Sequence, residues 1–336
     1  MSNRVNIGVI GAGGMGGRHA VNLTDAVAGA KVTAIMDVDS ARAEEIAARC
    51  GGAKVFADAE QLVAAPDVDA VVIAAPNRFH AGLTLSCIAA GKPVLCEKPL
   101  ASDGEEARGV VDTETAGGKR LVQVGFMRQY DPDHVAVKQV SDSGKQGQPL
   151  VIRSVHINPS WGDIPSLSDV INGSLIHDIH SARWMMGDEI ARVHTSFIPF
   201  SPTQPLSARY VMIQLHFRNG TLGSLECNSD SGYGYEITVS ITGETGVVQS
   251  SPLPHPIVRH SNASSQWIEE DWLQRFNTAY VNEAQAWVQS ILDGEAAGPS
   301  AWDGYVAILV ADAGIESGLQ AQPVAVEVPE MPALYG

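Results

Sequence analysis

The sequence predicts two fold classes in series. An α/β N-terminal domain with a parallel sheet is expected over residues 1–125, and an α+β C-terminal domain with a large, mostly antiparallel open sheet over residues 126–336. Three observations carry this reading. Short apolar runs alternate with helix-period segments over the first ~125 residues, as strands joined by crossover helices require. After about residue 150 the pattern turns to strand upon strand, with few helices between. A chain of 336 residues also fits two domains better than one.

In the first half, Val5 to Ile10 and Val32 to Met36 read as the opening strands, followed by Val71 to Ala75, Val94 to Cys96 and Leu121 to Val124. Helical segments between them include Ser40 to Cys50 and His80 to Ala90. In the second half, strands are expected over Leu150 to Asn158, Arg192 to Ile198, Ala208 to Arg218, Thr221 to Cys227 and Glu236 to Ile241. Asn219-Gly220 supplies a two-residue hairpin turn. Helices are expected near Leu175 to Met186, Trp267 to Leu292 and Trp302 to Gln320, and Ser251 to Pro256 reads as a Pro-rich loop. Phe276, Tyr280, Trp287 and Ile291 share one helical face, which indicates core packing. Asp303, three residues after Ser300, reads as a helix cap.

Composition narrows the function classes. Hydrophobic residues at 45% and charged residues at 18% allow a sizeable core. A net charge of −16 argues against nucleic acid or an anionic membrane as partner, since both attract positive surfaces. Cys50, Cys87, Cys96 and Cys227 form no CxxC pair and lack zinc-ligand spacing. With no secretory leader, reduced thiols in the cytoplasm are expected. No apolar run approaches the ~20 residues that span a bilayer.

Gly11-Ala12-Gly13-Gly14-Met15-Gly16 directly follows the first strand and opens the first helix. Gly11 permits the tight turn, Gly13 lets backbone approach a pyrophosphate, and Gly16 allows helix and strand to pack closely. The helix N-terminus would then present free N–H groups to the phosphates. Asp37 stands 21 residues past Gly16, at the end of the second strand. Its carboxylate can accept from both ribose hydroxyls and would repel a 2′-phosphate, so the pattern predicts a Rossmann domain that takes NAD rather than NADP. Arg42 is the nearby cation, expected on the solvent face of the next helix.

Two further turns fall at the C-terminal edge of the parallel strands, where such sheets bind ligands. They are Ala75-Pro76-Asn77, with His80 just beyond, and Glu97-Lys98-Pro99. Lysine in a turn is more often a surface residue, but Lys98 at this edge can supply a cation or, if desolvated, a proton donor and acceptor. Pro99 stiffens the turn, and the bond before it is a candidate for cis.

The GAGGMG loop, Ala75-Pro76-Asn77 with His80, the run Gly91 to Pro99 and Gly125-Phe126-Met127-Arg128 resemble the glucose–fructose oxidoreductase / inositol dehydrogenase / MocA family over nearly the whole chain. Tyr233 to Ile237, Phe276 to Trp287 and Gly298 to Tyr305 are similar to its myo-inositol dehydrogenases. The resemblance implies NAD-dependent oxidation of a secondary ring hydroxyl of myo-inositol or a related cyclitol. A pyranose sugar dehydrogenase and a non-catalytic NAD-binding regulator are the alternatives. It also implies Lys98 and His177 as catalytic residues, with His177 as general base, a role suited to a side chain whose ordinary pKa lies near neutrality. Gly11, Gly13, Gly14, Met15, Gly16, Asp37, Ala75, Pro76, Asn77, His80, Glu97 and Lys98 are the expected cofactor contacts. Arg128, His156, Asn158, His177, His180 and Tyr235 are candidate partners of a polyol, beside Gly173. Relatives usually carry Asp four residues before the histidine and Asp three residues after it, where this chain has Gly173 and His180. His177-x-x-His180 lacks a third ligand at recognisable spacing, so no metal is expected. Dimers or tetramers formed through the large sheet are expected as well.

Overall fold

The computed structural model describes residues 4–160, 162–251 and 255–336, so residues 252–254 of the expected Pro-rich loop lie outside the described residues. The chain forms two compact units. One comprises residues 1–127, 279–308 and 330–336, and the other residues 128–278 and 309–329. A single cut near residue 125 therefore does not separate them. The reason is apolar packing: a late helix buries its face on the first unit's sheet instead of the second's.

The first unit is a six-stranded parallel sheet. Its strands are β1 (Val5–Ile10), β2 (Ala30–Met36), β3 (Lys54–Phe56), β4 (Ala70–Ile73), β5 (Val94–Cys96) and β6 (Val122–Val124), in the order β3-β2-β1-β4-β5-β6. The short β3 was not anticipated, because three residues of mixed burial carry no period. Helices α1 (Gly14–Asp25), α2 (Ser40–Arg49), α3 (Ala59–Ala64), α4 (His80–Ala89) and α5 (Gly104–Gly117) connect the strands. The strand order reverses between β1 and β4, which opens the crevice beyond their C-terminal ends where a doubly wound sheet binds its ligand.

In the second unit, α6 (Pro132–Asp142) leads into β7 (Pro149–Ile157). Next come α7 (Leu167–Val170), a π-turn over Ile171–Leu175 and α8 (Ile176–Met186). The strands β8 (Ile190–Ile198), β9 (Tyr210–Phe217), β10 (Leu222–Asn228), β11 (Glu236–Gly243) and β12 (Val247–Gln249) follow, then the hairpin β13 (Ile257–His260) and β14 (Ala263–Gln266). The chain closes with α9 (Trp272–Arg275), α10 (Asn277–Asp293), α11 (Ala301–Gln320) and β15 (Val324–Ala325). The expected helix from Trp267 thus begins later and is interrupted before Asn277. The large sheet has the order β12-β11-β7-β10-β9-β8-β15. Only β7 and β10 pair in parallel within it. Burial alternates along β9, β10 and β11, so one face is covered and the other carries the intermediate and exposed positions. Asn219-Gly220 makes the β9–β10 turn, with Gly220 at φ +88°.

From Ala279 onward α10 belongs to the first unit. Its Ala284, Trp287 and Val288 join Val5, Ile7, Val9, Leu23 and Leu95 in one core. The cap expected at Ser300 is present: its Oγ and N–H donate to Asp303, whose N–H donates back at 3.2 Å.

One buried side chain ties the edge of the first sheet together. His80 is 1% exposed, and its Nδ1 and Nε2 each lie 2.7 Å from a carbonyl oxygen, of Pro99 and Ala75 respectively. Carbonyls only accept, so a ring bonded to both carries two N–H groups and a positive charge. Burial alone would lower its pKa. The Cys96 sulfur and the two carbonyls outweigh burial and push it up to about 9. The Lys98-Pro99 bond within this clamp is cis. A group whose folded pKa is raised stabilises the fold fully below its ordinary value and loses that contribution as pH rises through the folded value. Wild type should therefore exceed His80→Gln in unfolding free energy at pH 6. That gap should narrow by on the order of 3 kcal/mol by pH 10, as read by urea denaturation. A gap independent of pH would show the ring to be neutral.

Candidate active site

The glycine turn meets each requirement set by its spacing. Gly11 has φ +92°, and a Cβ there would stand 2.5 Å from the Ala74 carbonyl oxygen. At Gly16 a Cβ would stand 1.7 Å from the Gly11 oxygen, so only glycine lets α1 pack this closely on β1. Gly13 has open space around it and caps α1 with no side chain. The first turn of the helix is thus left clear for an anion. Gly14 is exposed and Met15 half-buried beside it.

Asp37 closes this end. Its Oδ2 accepts the Ala12 N–H at 2.6 Å and its Oδ1 the Asp39 N–H at 2.9 Å, which anchors the carboxylate to the glycine turn itself. Arg42 departs from expectation. Although its side chain is half exposed, Nη1 reaches to 3.9 Å from Asp37 and Nη2 to 3.3 Å from Asp39. The cation therefore stands at the carboxylate, drawn by two negative charges, instead of facing only solvent. Open space over Gly13, an uncapped helix N-terminus and a carboxylate at the end of β2 together suit a dinucleotide.

The other edge turns separate into exposed and supporting residues. Ala75, Pro76 and Asn77 are half-buried to exposed, and Lys98 is half-buried. Expected as cofactor contacts, His80 and Glu97 direct their polar atoms inward. His80 holds the Ala75 and Pro99 carbonyls as described. Glu97 is 7% exposed, with Oε1 2.7 Å from His19 Nε2 and Oε2 accepting the Lys98 N–H at 3.2 Å. Burial would raise the Glu97 pKa, but His19, Lys98 and His80 hold it below the ordinary value. Both side chains shape the turns from which Ala75 and Lys98 project.

In the second unit a buried charge cluster surrounds α8. Asp178, the residue after His177, is fully buried. Its Oδ1 accepts from Arg128 Nη1 at 2.5 Å and from the Ser154 hydroxyl. Its Oδ2 lies 2.9 Å from His156 Nδ1. The same Nδ1 lies 3.0 Å from Arg128 Nη2, and Nε2 lies 3.3 Å from the Tyr235 hydroxyl, so the His156 ring bridges the charge pair to Tyr235. Burial pushes the Asp178 pKa up, and Arg128 and His156 more than reverse that, leaving it well below the ordinary range. Arg128, 1% exposed, spends its charge on Asp178. Asn158 donates to Ser174 Oγ at 3.3 Å, one residue past Gly173. Arg128, His156, Asn158 and Tyr235 thus converge on the helix that carries His177 and His180, both buried.

Gly173 lies inside the π-turn. The wider turn underwinds the chain, bringing position 173 nearer to the face of His177 than an α-helix would. Sequence reasoning gave Asp178 and His19 no role. The available signals were an acid amid the mainly apolar face of α8 and a histidine in the first turns of α1.

Two family models cover the chain: an oxidoreductase family NAD-binding Rossmann fold over residues 5–126 and an oxidoreductase family C-terminal alpha/beta domain over residues 135–326. The chain is 48% identical to an inositol 2-dehydrogenase of Rubrobacter xylanophilus, over 99% of this chain and 96% of the relative. It is 40% identical to an inositol 2-dehydrogenase of Klebsiella pneumoniae, over 98% and 99%. Its structure matches that of myo-inositol dehydrogenase from Lactobacillus casei in complex with NAD(H) and myo-inositol. That match has a TM-score of 0.95 at 34% identity and covers 99% and 100% of the two chains. With its glycine turn, Glu-Lys-Pro turn and both domains accounted for, the chain belongs to the Gfo/Idh/MocA oxidoreductase family.

Proposed function

We propose that this protein oxidises a secondary ring hydroxyl of myo-inositol or a closely related cyclitol to the ketone, with NAD as the oxidant. The observation that carries this reading is the full-length likeness to the Lactobacillus casei myo-inositol dehydrogenase in complex with NAD(H) and myo-inositol. The alternatives of a pyranose substrate and of a non-catalytic regulator have no such support. A purified-protein assay of NADH formation against a panel of inositols and pyranoses tests it directly.

The glycine turn and the N-terminus of α1 would hold the phosphates of NAD, Asp37 would accept from its ribose, and the bound cofactor would supply the hydride acceptor. His177 removes the hydroxyl proton, while the Lys98 ammonium stabilises the developing alkoxide and relays the proton. Asp178 and Arg128 keep α8 in register, so that His177 is presented without rotamer search. His156, Asn158, His180 and Tyr235 are the polar groups suited to ring hydroxyls.

The protein acts as a homo-oligomer in the cytoplasm. The uncovered face of the large sheet supports association, since it carries Met212 and Leu222 exposed among polar side chains. Four buried, unpaired cysteines fit a reducing compartment. Among the described residues no helix is long and apolar enough to cross a membrane.

Three outcomes are expected. NAD should show a lower KM than NADP, and Asp37→Ala should narrow the difference; a wild-type preference for NADP would place Asp37 away from the ribose. Lys98→Ala and His177→Ala should each lower kcat by ~10²–10⁴-fold while NADH binding, followed by fluorescence, persists. Full activity in either variant removes that residue from the chemistry. Gly173 and His180 replace an acceptor on each side of His177, so the ring should sit in a different orientation from that in relatives with both carboxylates. NMR of the ketone should then differ between wild type and Gly173→Asp/His180→Asp. The same 2-keto product from myo-inositol, formed with similar efficiency, would show the two positions to be neutral.

A further inference from the structure

The first unit holds a buried carboxyl that the proposed reaction leaves unused. Glu283, on α10, is fully buried, and neither of its oxygens has a hydrogen-bond partner among the described residues. Two titratable groups from other elements bear on this face of α10. His19 on α1 is 1% exposed; its Nε2 lies 2.7 Å from Glu97 Oε1, and its Nδ1 has no hydrogen-bond partner. The ring of His19 stands edge-on to Tyr280 at 6.0 Å and 85°. Tyr280 is three residues before Glu283 and therefore on the same face of α10. Glu97, at the end of β5, is the group whose charge acts on Glu283. The rest of that face meets apolar side chains of the sheet, including Val5, Ile7, Val9 and Leu95.

The room for this cluster is specific. A Cβ at Gly125 would stand 3.1 Å from Glu97 Oε2, so the residue after β6 leaves the carboxylate just enough space to bond the Lys98 N–H. Two carboxyls that share a dry site cannot both ionise. Glu97 has His19, Lys98 and His80 to favour its charge. Glu283 has burial and the Glu97 charge against it, and its pKa is driven well up. One carboxyl is thus the anion and the other the neutral acid, with His19 between α1 and the catalytic turn.

The geometry points to Glu283 as a positioning residue for the Lys98 turn: an unpartnered buried acid on the α10 face that packs against His19, the partner of the Glu97 carboxylate, which is in turn bonded to the Lys98 backbone. This rests on the reading of Lys98 as catalytic. Loss of the Glu283 proton would set a second anion against Glu97, weaken its pairing and release the turn. Activity should therefore fall on the alkaline side as Glu283 ionises.

The test uses the full-length protein with NAD and myo-inositol. Glu283→Gln mimics the neutral acid, so kcat/KM near neutrality should stay within about threefold of wild type while the alkaline limb moves up by at least about one pH unit. Glu283→Met, which also cannot ionise, should lose the same limb and keeps the test available should the Gln variant fold poorly. Infrared difference spectra provide a readout without turnover. The protonated-carboxyl C=O stretch should be present in wild type at neutral pH and absent from both variants. Alkaline limbs that superimpose on wild type, or no difference in that band, would overturn the role. A protein that shows the band and binds NADH but oxidises no polyol would instead count against the dehydrogenase reading alone.

Discussion

A carboxylate taken out of water must find positive charge or donors within a few ångströms, because the desolvation penalty otherwise exceeds what the fold can offset. Both units are organised around that constraint. In the second, Asp178 is a buried anion, and Arg128, Ser154 and His156 come from separate segments to meet it. Meeting it anchors α8, the helix that carries the neighbouring His177. In the first, Glu97 is a buried anion, and His19 and the Lys98 N–H meet it. The two residues assigned to proton chemistry each stand next in sequence to a buried carboxylate. Removing either partner would strand a charge, so these clusters hold geometry more firmly than apolar packing of the same volume would.

The nucleotide end follows a different logic, one of backbone and space. Gly11 and Gly16 are required by what stands within van der Waals distance of their missing Cβ atoms, and Gly13 by what is absent. Asp37 has a double task. Its oxygens already accept two backbone N–H groups, yet a carboxylate has about four lone-pair sites and keeps capacity for a ribose. Arg42 at 3.9 Å moderates that negative charge without occupying it.

The helical run from Leu167 to Met186 carries the residues proposed to set specificity. The run begins at a capping box on Ser166, passes through the π-turn over Ile171–Leu175 and continues as α8. An underwound turn ahead of His177 costs regular hydrogen bonds and is frequent at functional sites. Gly173 within it removes both a charge and a side chain. The adjacent Asn172 donates to Ser168 Oγ at 3.2 Å. The polar groups on this run therefore differ from those expected of relatives with carboxylates at these positions, and the proposed specificity rests on that difference.

What the sequence determined by itself was whatever depends on neighbours along the chain. The strand-turn-helix at Gly11 to Gly16, the two-residue turn at Asn219-Gly220, the cap at Ser300 and the periodic strands of the large sheet are local conformations, set by backbone freedom and side-chain period. Family resemblance added the roles of Lys98 and His177. Only the tertiary structure decided which buried polar residues pair with one another. His19 and Glu97 are 78 residues apart in sequence and Arg128 and Asp178 are 50 apart, and no local pattern encodes such pairings. The same holds for α10, whose apolar face reads as core in any sequence. Which sheet it covers depends on the complementary surface of Val5, Ile7, Val9 and Leu95, and that surface exists only once the parallel sheet has formed.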